Sequence, residues 1–572
     1  MHLFMKLTWR TLMAASLVAM MCLPEERAAQ DLDYSIDALI DREAADIDPE
    51  DIALLISLRR DPLDINRAGR TELEQLPWIT PALAGAIVAW RERHGPFGNV
   101  GELAQVPGFT PVLVSRISPF VRAGYERAGD ERARDDRSLE TTGRLRLARY
   151  RTDRPDAPGN GILGVQADIG LGNRFKLGGR GERRDRGGET RWRSGYVEFG
   201  GSATSRRLIL GFFEMDFGQG LIWRSHSIRP STASLSASVK RRIRGLRPVR
   251  TTYASGARRG MAMRIDRRGF SLTGIFSRTD SGKWEPGGRL GWSRNSGLVG
   301  ISVLQSEGSL RVGADLDYLY GGTNLFGEMA IDGEGYQTVQ GGMVWSMEGV
   351  EGGLTFHHQP DARLIEKSER TWQSLLVRWR PDRRTTLQLS IEPRLTYLEL
   401  YQRSTIRFRR RMGRGVIASG VWRREKDERL VTGLSPLDTW QGQVAWRVPA
   451  RVQWRARYER RGRYGLKPEH DLRLYMRYRS RDRFSLTAQW EYTLSGFSAP
   501  EDTLAGFSGP ESSASLFRSN HRERWVILLY GPIVPGVSTL VRYTRTRQTR
   551  YDQLKIPLVE TRWVLQLNAR WR

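Results

Sequence analysis

Residues 443–459 read Gln-Val-Ala-Trp-Arg-Val-Pro-Ala-Arg-Val-Gln-Trp-Arg-Ala-Arg-Tyr-Glu, and their period is two. Val444, Trp446 and Val448 alternate with Gln443, Ala445 and Arg447. Pro449-Ala450-Arg451 then turns the chain, and Val452, Trp454, Ala456 and Tyr458 alternate with Gln453, Arg455, Arg457 and Glu459. Successive side chains of a strand point to opposite faces, so this alternation gives two half-buried strands joined by a hairpin. Downstream, Leu472, Leu474, Met476 and Tyr478 repeat the pattern, as do Phe484, Leu486, Ala488, Trp490 and Tyr492. Upstream, Leu375, Val377 and Trp379 lead through Pro381-Asp382 to Leu387, Leu389 and Ile391.

A soluble sandwich shares this alternation, and the connections separate the two. Reading back from the C-terminus, they run long at 546–560, short at 531–536, long at 493–524, short at 480–483, long at 460–470 and short at 449–451. Short turns on one side and long loops on the other belong to outer-membrane barrels. The apolar set also suits an outward face, with aliphatics in mid-strand and Trp and Tyr toward the ends. The last strand places Trp563, Leu565, Leu567, Ala569 and Trp571 on one face. It resembles the C-terminal signal read by the outer-membrane assembly machinery, a partner the resemblance implies, although Arg572 follows the aromatic. The sequence therefore predicts a large antiparallel transmembrane β-barrel over 141–572, with an even number of strands, roughly 18–24.

Residues 61–125 have another character. Pro62-Leu63-Asp64-Ile65-Asn66-Arg67-Ala68, Arg91-Glu92-Arg93-His94-Gly95-Pro96-Phe97, Val100-Gly101-Glu102-Leu103 and Val106-Pro107-Gly108-Phe109-Thr110 follow one another. Thr71 and Thr80 suit N-caps, Pro81 and Pro111 suit first helical turns, and Gly95-Pro96 stops the middle helix. This segment resembles the tandem helix-hairpin-helix domain of ComEA-type competence DNA receptors. The resemblance implies a small all-α domain that grips DNA phosphates with backbone N–H groups at Gly-apolar-Gly turns. Its DNA-binding positions fall on Trp78, Ile79, Thr80, Gly108, Phe109 and Thr110, with Arg116. Trp78, Thr80 and Thr110 depart from glycine there, and a side chain at such a turn obstructs a phosphate.

The chain has 572 residues and a net charge of +27, with one cysteine. Residues 1–30 read as a signal peptide: Lys6 and Arg10 precede an apolar run from Leu12 to Leu23, too short to span a bilayer. Residues 31–60 form an acidic lead-in with helical spacing, and 126–140 a charged linker. About +1 lies on residues 1–30 and about −6 on 31–128, which leaves about +32 for the rest. Arg447, Arg455, Arg457, Arg473, Arg477 and Arg479 stand opposite the aliphatics, the face that becomes the lumen. A lipid-facing Arg at mid-membrane costs about 2–4 kcal/mol, which excludes the other face for them. Such a lumen favours anions. Pairing with Glu459 and Glu491 works against that preference, and exposed arginines suit the phosphates of lipopolysaccharide.

No nucleophile elbow, P-loop, HExxH or paired CxxC occurs, and no cofactor or metal is implied. His357-His358 would point to opposite faces of a strand, and Ser225-His226-Ser227 does not form a hydrogen-bonded pair on one. Gly218-Gln219-Gly220 reads as a close-packed strand crossing. Residues 212–221 and 244–248 resemble large barrels of certain Gram-negative bacteria that carry an N-terminal helix-hairpin-helix module. The reading is a non-enzymatic outer-membrane barrel with a periplasmic module, binding or translocating a polyanion such as DNA. Its partners are membrane lipid and lipopolysaccharide. The alternative is a structural protein whose module docks a periplasmic protein and does not bind DNA.

Overall fold

The computed structural model describes residues 62–76 and 78–123, with Leu55 and Leu58 before them, and most of 141–571. Outside the described residues lie 1–54, 124–140 and several connections, among them 225–238, 250–256, 360–369, 430–435, 495–519 and 551–556. The signal peptide, nearly all of the lead-in, the linker and Ser225-His226-Ser227 thus fall outside them.

The helical module is tied at its ends. Strand β1 (Leu63–Asp64) pairs in parallel with β2 (Val121–Arg122). Between them run α1 (Arg70–Leu73), α2 (Pro81–His94) and α3 (Pro111–Ile117). Proline at the first helical position of α2 and α3 loses no hydrogen bond, and the preceding Thr80 and Thr110 cap them. Gly95, at φ +87°, ends α2 in a conformation that a side chain resists. Asn66 and Phe97 clamp the two hairpins together: Phe97 N donates to Asn66 Oδ1 (2.8 Å), and Asn66 Nδ2 donates to the Phe97 carbonyl (3.0 Å). Ile65, Leu73, Leu76, Ile87, Phe97, Leu103, Ile117 and Phe120 form the core, joined by Leu55 from the lead-in.

The remaining strands, β3 (Thr141–Arg154) to β27 (Pro557–Trp571) in chain order, close into a barrel. Its wall has 24 strands, all of these except β8 (Gly245–Pro248), with every neighbour antiparallel. The even number meets the expectation. The seam is the last strand against the first, from Trp571 opposite Gly143 to Thr561 opposite Asp153. Closure leaves no unpaired edge for lipid to meet.

Connections on the side of the chain termini stay between the two residues of 268–269 and the six of 200–205. The longest connections, at 217–257, 360–369 and 495–519, lie at the other end. That end also has two-residue connections at 155–156 and 307–308, so the alternation is a rule for one rim only. The connection expected at 460–470 shrinks to 464–468, because its flanking strands run on to Arg463 and start at Glu469.

Strand β13 (Ser309–Tyr320) shows how the two faces divide. Leu310, Val312, Leu316 and Tyr318 are exposed on the outside, while Asp315 and Asp317 between them are buried. Strand β22 (Val452–Arg463) repeats this, with Trp454 and Tyr458 outward and Arg455, Arg457 and Glu459 inward. Among the described residues no helix is long and apolar enough to cross a membrane; the strands supply the apolar band.

One strand leaves the wall. β7 (Arg206–Asp216) pairs with β9 (Arg258–Arg267) through residues 206–213, then overruns to pair with β8 through 213–216. The chain beyond it lies against the inner wall. Phe213, Met215, Phe217, Ile222, Trp223 and Leu246 pack on the inward Ala262, Ile275, Leu304 and Ala330. Inward glycines make room for it: a Cβ on Gly287 would lie 2.5 Å from Trp223, and one on Gly313 2.6 Å from Ile222. Gly218-Gln219-Gly220 is therefore a turn inside the lumen and not a strand crossing, because β7 has already left the sheet. On this side the wall meets an apolar insert, with Arg258 over the Trp223 ring and Arg289 over the Phe217 ring.

Candidate functional site: the luminal seat of the helical module

The inserted segment is held at both ends by carboxylates of the wall. Near Gly218 its backbone N–H groups surround Glu328 of β14 (Thr323–Ile331): Gln219 N and Leu221 N donate to Oε2 (2.6 and 3.0 Å) and Ile222 N to Oε1 (3.3 Å). Gly218 (φ +58°) and Gly220 (φ +84°) supply the left-handed turns that let these three N–H groups converge on one carboxyl, while Gly220 N donates to the Phe217 carbonyl. At its other end the segment presents Lys240.

Lys240 belongs to a closed ring of four charges. Arg70 Nη1 donates to Glu74 Oε1 (2.7 Å), and Lys240 Nζ lies 2.6 Å from Glu74 Oε2. Lys240 Nζ also lies 2.5 Å from Asp317 Oδ2, and Arg70 Nη2 donates to Asp317 Oδ1 (2.7 Å). Arg70 and Glu74 come from the module, Lys240 from the insert and Asp317 from the inward face of β13. Three parts of the chain thus meet at one neutral ring. None of its four residues is more than 7% exposed. Arg70 donates further to the Asp317 carbonyl (3.1 Å), Asn324 Nδ2 to Asp317 Oδ1 (2.7 Å), and Gln75 Nε2 to the Ile243 carbonyl (3.2 Å). Burial alone would push the Arg70 pKa down, but Glu74 and Asp317 outweigh it and hold the value above the ordinary one.

The module sits at the short-turn rim. Thr80, Pro81 and Ala82, the tip of its first hairpin, line a narrow cleft with Gly322, Asn324, Val344 and Glu351 of the barrel. A Cβ on Gly85 of α2 would lie 2.4 Å from Leu319, so helix and wall are in close contact there. Val239 of the insert packs beneath with Phe326, Val344 and Leu376.

The seven positions marked for DNA divide between the two hairpins. Trp78 and Ile79 are buried in the module core, and Thr80 faces the barrel cleft. Its hydroxyl accepts from Leu83 N (3.2 Å), an N–H that a phosphate would otherwise take. The second hairpin repeats this cap, with Thr110 Oγ1 accepting from Leu113 N (3.2 Å). Gly108 keeps φ +87°, Phe109 is buried, and Arg116 stacks over Trp78 at 5.7 Å. The second tip is open, with Val112 67% exposed beside it.

Two of the six luminal arginines meet acids among the described residues. Arg457 donates to Glu459, and Arg473 lies 2.7 Å from Asp471 and 3.0 Å from Glu491. Arg455 stands over the Tyr475 ring at 5.3 Å, and Arg477 is buried on the inward face. The side chains of Arg447 and Arg479 lie outside the described residues. His357 and His358 point apart as expected, His357 stacked on Trp372 and His358 Nδ1 3.0 Å from the Thr371 hydroxyl. The ring was the feature that sequence reasoning missed. Arg70, Glu74, Lys240 and Asp317 are scattered over 248 positions, and Asp317, alternating with outward Leu316 and Tyr318, was a local sign of it.

Residues 60–122 match the family model described as a helix-hairpin-helix motif. The chain is similar to the P pilus usher (PapC) translocation pore at 10% identity and a TM-score of 0.41, over 75% of this chain and 99% of that one. It is similar also to Pseudomonas aeruginosa OccK11 (OpdR), at 10% identity and a TM-score of 0.32, over 76% and 96% of the two chains. For P. aeruginosa OpdK with vanillate the figures are 11%, 0.33, 76% and 99%. The closed wall, its apolar outer face and its short-turn rim carry the assignment themselves. The chain joins a helix-hairpin-helix module to a 24-strand barrel of the outer membrane.

Proposed function

We propose that the protein is a gated outer-membrane conduit for an anionic polymer or solute, nucleic acid among them, and that its helix-hairpin-helix module is the plug. The observation that carries this is the buried ring Arg70–Glu74–Lys240–Asp317, which fastens module, insert and wall at the periplasmic mouth. A neutral ring of this kind is a switch by construction. Intact, it compensates the desolvation of four charges; with one member drawn away, a buried charge is stranded at a cost of about 3–5 kcal/mol. The first hairpin serves as the docking face in this reading, and its protein partner is the chain's own barrel.

Anionic cargo is supported by the wall away from the module. Arg524, Arg542 and Arg562 come inward on β25 (Asn520–Val534), β26 (Val537–Arg550) and β27, within two to four residues of one another in register. Arg542 Nε is buried with no acceptor among the described residues. Reversal potentials test this: Glu74→Gln/Asp317→Asn protein in planar bilayers, under a salt gradient, is expected to pass anions in preference to cations. Cation selectivity would overturn it.

A further inference from the structure

We infer that the outer face of β25, β26, β27 and β3 binds a phosphorylated lipid headgroup of the outer leaflet. Arg149 on β3 shares its face with the exposed Leu147 and pairs across the seam with the outward Leu565, so its side chain faces lipid. Arg545 and Arg547 on β26 are exposed on the same side as Tyr543, opposite Trp525 and Glu523 of β25. Arg545 and Arg547 stand eight and ten residues beyond Val537, where β26 starts at the short-turn rim; Arg149 stands eight beyond Thr141, where β3 starts. A tilted strand crosses the hydrocarbon in about 9–11 residues. The three guanidinium groups therefore reach the interface of the far, extracellular leaflet.

Aromatic side chains mark the same level. Tyr543 and Trp563 pack at 4.4 Å, and the indoles of Trp490 and Trp525 both donate to Glu523 Oε1 (3.2 and 3.0 Å). Such rings sit at headgroup depth. Among the described residues Glu523 is an acid on this face, paired in register with Arg547, and two indole N–H groups hold its carboxyl. Neighbouring strands are about 4.8 Å apart, so the arginines span three strands on a scale that one or two phosphates of a headgroup match. Arg forks bind phosphate oxygens in pairs, and at this depth the phosphate layer is the anion within reach.

The test compares full-length protein in detergent with Arg149→Gln/Arg545→Gln/Arg547→Gln and with Arg424→Gln, an outward cation of β20 (Val416–Arg429) that faces Asp438 across the sheet. Each is loaded with a phosphorylated outer-leaflet glycolipid, with the same lipid after phosphatase treatment, or with inorganic phosphate, and retained ligand is counted by native mass spectrometry. At least tenfold more phosphorylated lipid is expected on the wild type and on Arg424→Gln than on the triple variant, with little dephosphorylated lipid on any. Equal retention by the triple variant, equal retention of dephosphorylated lipid, or displacement by millimolar phosphate would overturn the inference. Heat-shifted electrophoretic migration confirms that the triple variant is folded.

Discussion

Two threonine hydroxyls take backbone N–H groups at the tips of the module's hairpins. Thr80 and Thr110 each hold the N–H that would face a phosphate. Replacing a threonine cap with glycine costs only roughly a few tenths of a kcal/mol, so the helix survives the change. Thr110→Gly restores the Gly-apolar-Gly turn on the open hairpin. Full-length Thr110→Gly protein is expected to bind duplex DNA more tightly than wild type at low salt and to lose that gain at moderate salt. Unchanged binding in a titration would show that the hydroxyl is not what obstructs the turn. At Gly218 the space is filled from the other side: a Cβ would lie 2.6 Å from Glu328 Oε2, at φ +58°. Gly218→Val is expected to cost about 1–3 kcal/mol and to release the insert. Limited proteolysis would then cut within 217–244 while the barrel stays protease-resistant.

At the scale of the strand, alternation fixes which face is greasy. Leu316, in mid-strand and lipid-facing, is expected to lose about 2–4 kcal/mol on change to Arg, read as a lower denaturant midpoint for unfolding from lipid. The same charge inward, as at Arg289, is met by Asp315 at 2.5 Å. This period made the wall legible from residues 443–459 alone. The strands also end and restart at Val448 and Val452, and at Trp379 and Thr385, where the sequence places the connections. The module was legible for a different reason, since Pro81, Pro111 and Gly95 act locally on backbone geometry. What stayed hidden was β7 leaving the sheet. Phe213-Glu214-Met215-Asp216-Phe217 keeps the strand period past the last pair with β9, because an insert buried against a wall needs the same alternation as a strand in it. Gly287, Gly313 and Gly353 were the residue-level trace: inward glycines in a barrel mark where something else fills the lumen.

At the scale of the whole molecule, the proposed plug is the barrel's own N-terminal module. The wall seals without that module, since β27 pairs with β3 beyond the linker, so unplugging leaves the barrel intact. Gln at Glu74 and Asn at Asp317 remove both acids of the ring and leave Arg70 and Lys240 facing each other. A Gly85→Cys/Leu319→Cys pair offers the opposite control, locking α2 to the wall where the two already touch. Single-channel recording in planar bilayers compares the three. Wild type and the oxidised cysteine pair are expected to stay closed or pass small currents, while Glu74→Gln/Asp317→Asn opens to several times that conductance. Equal conductance in all three would contradict the plug.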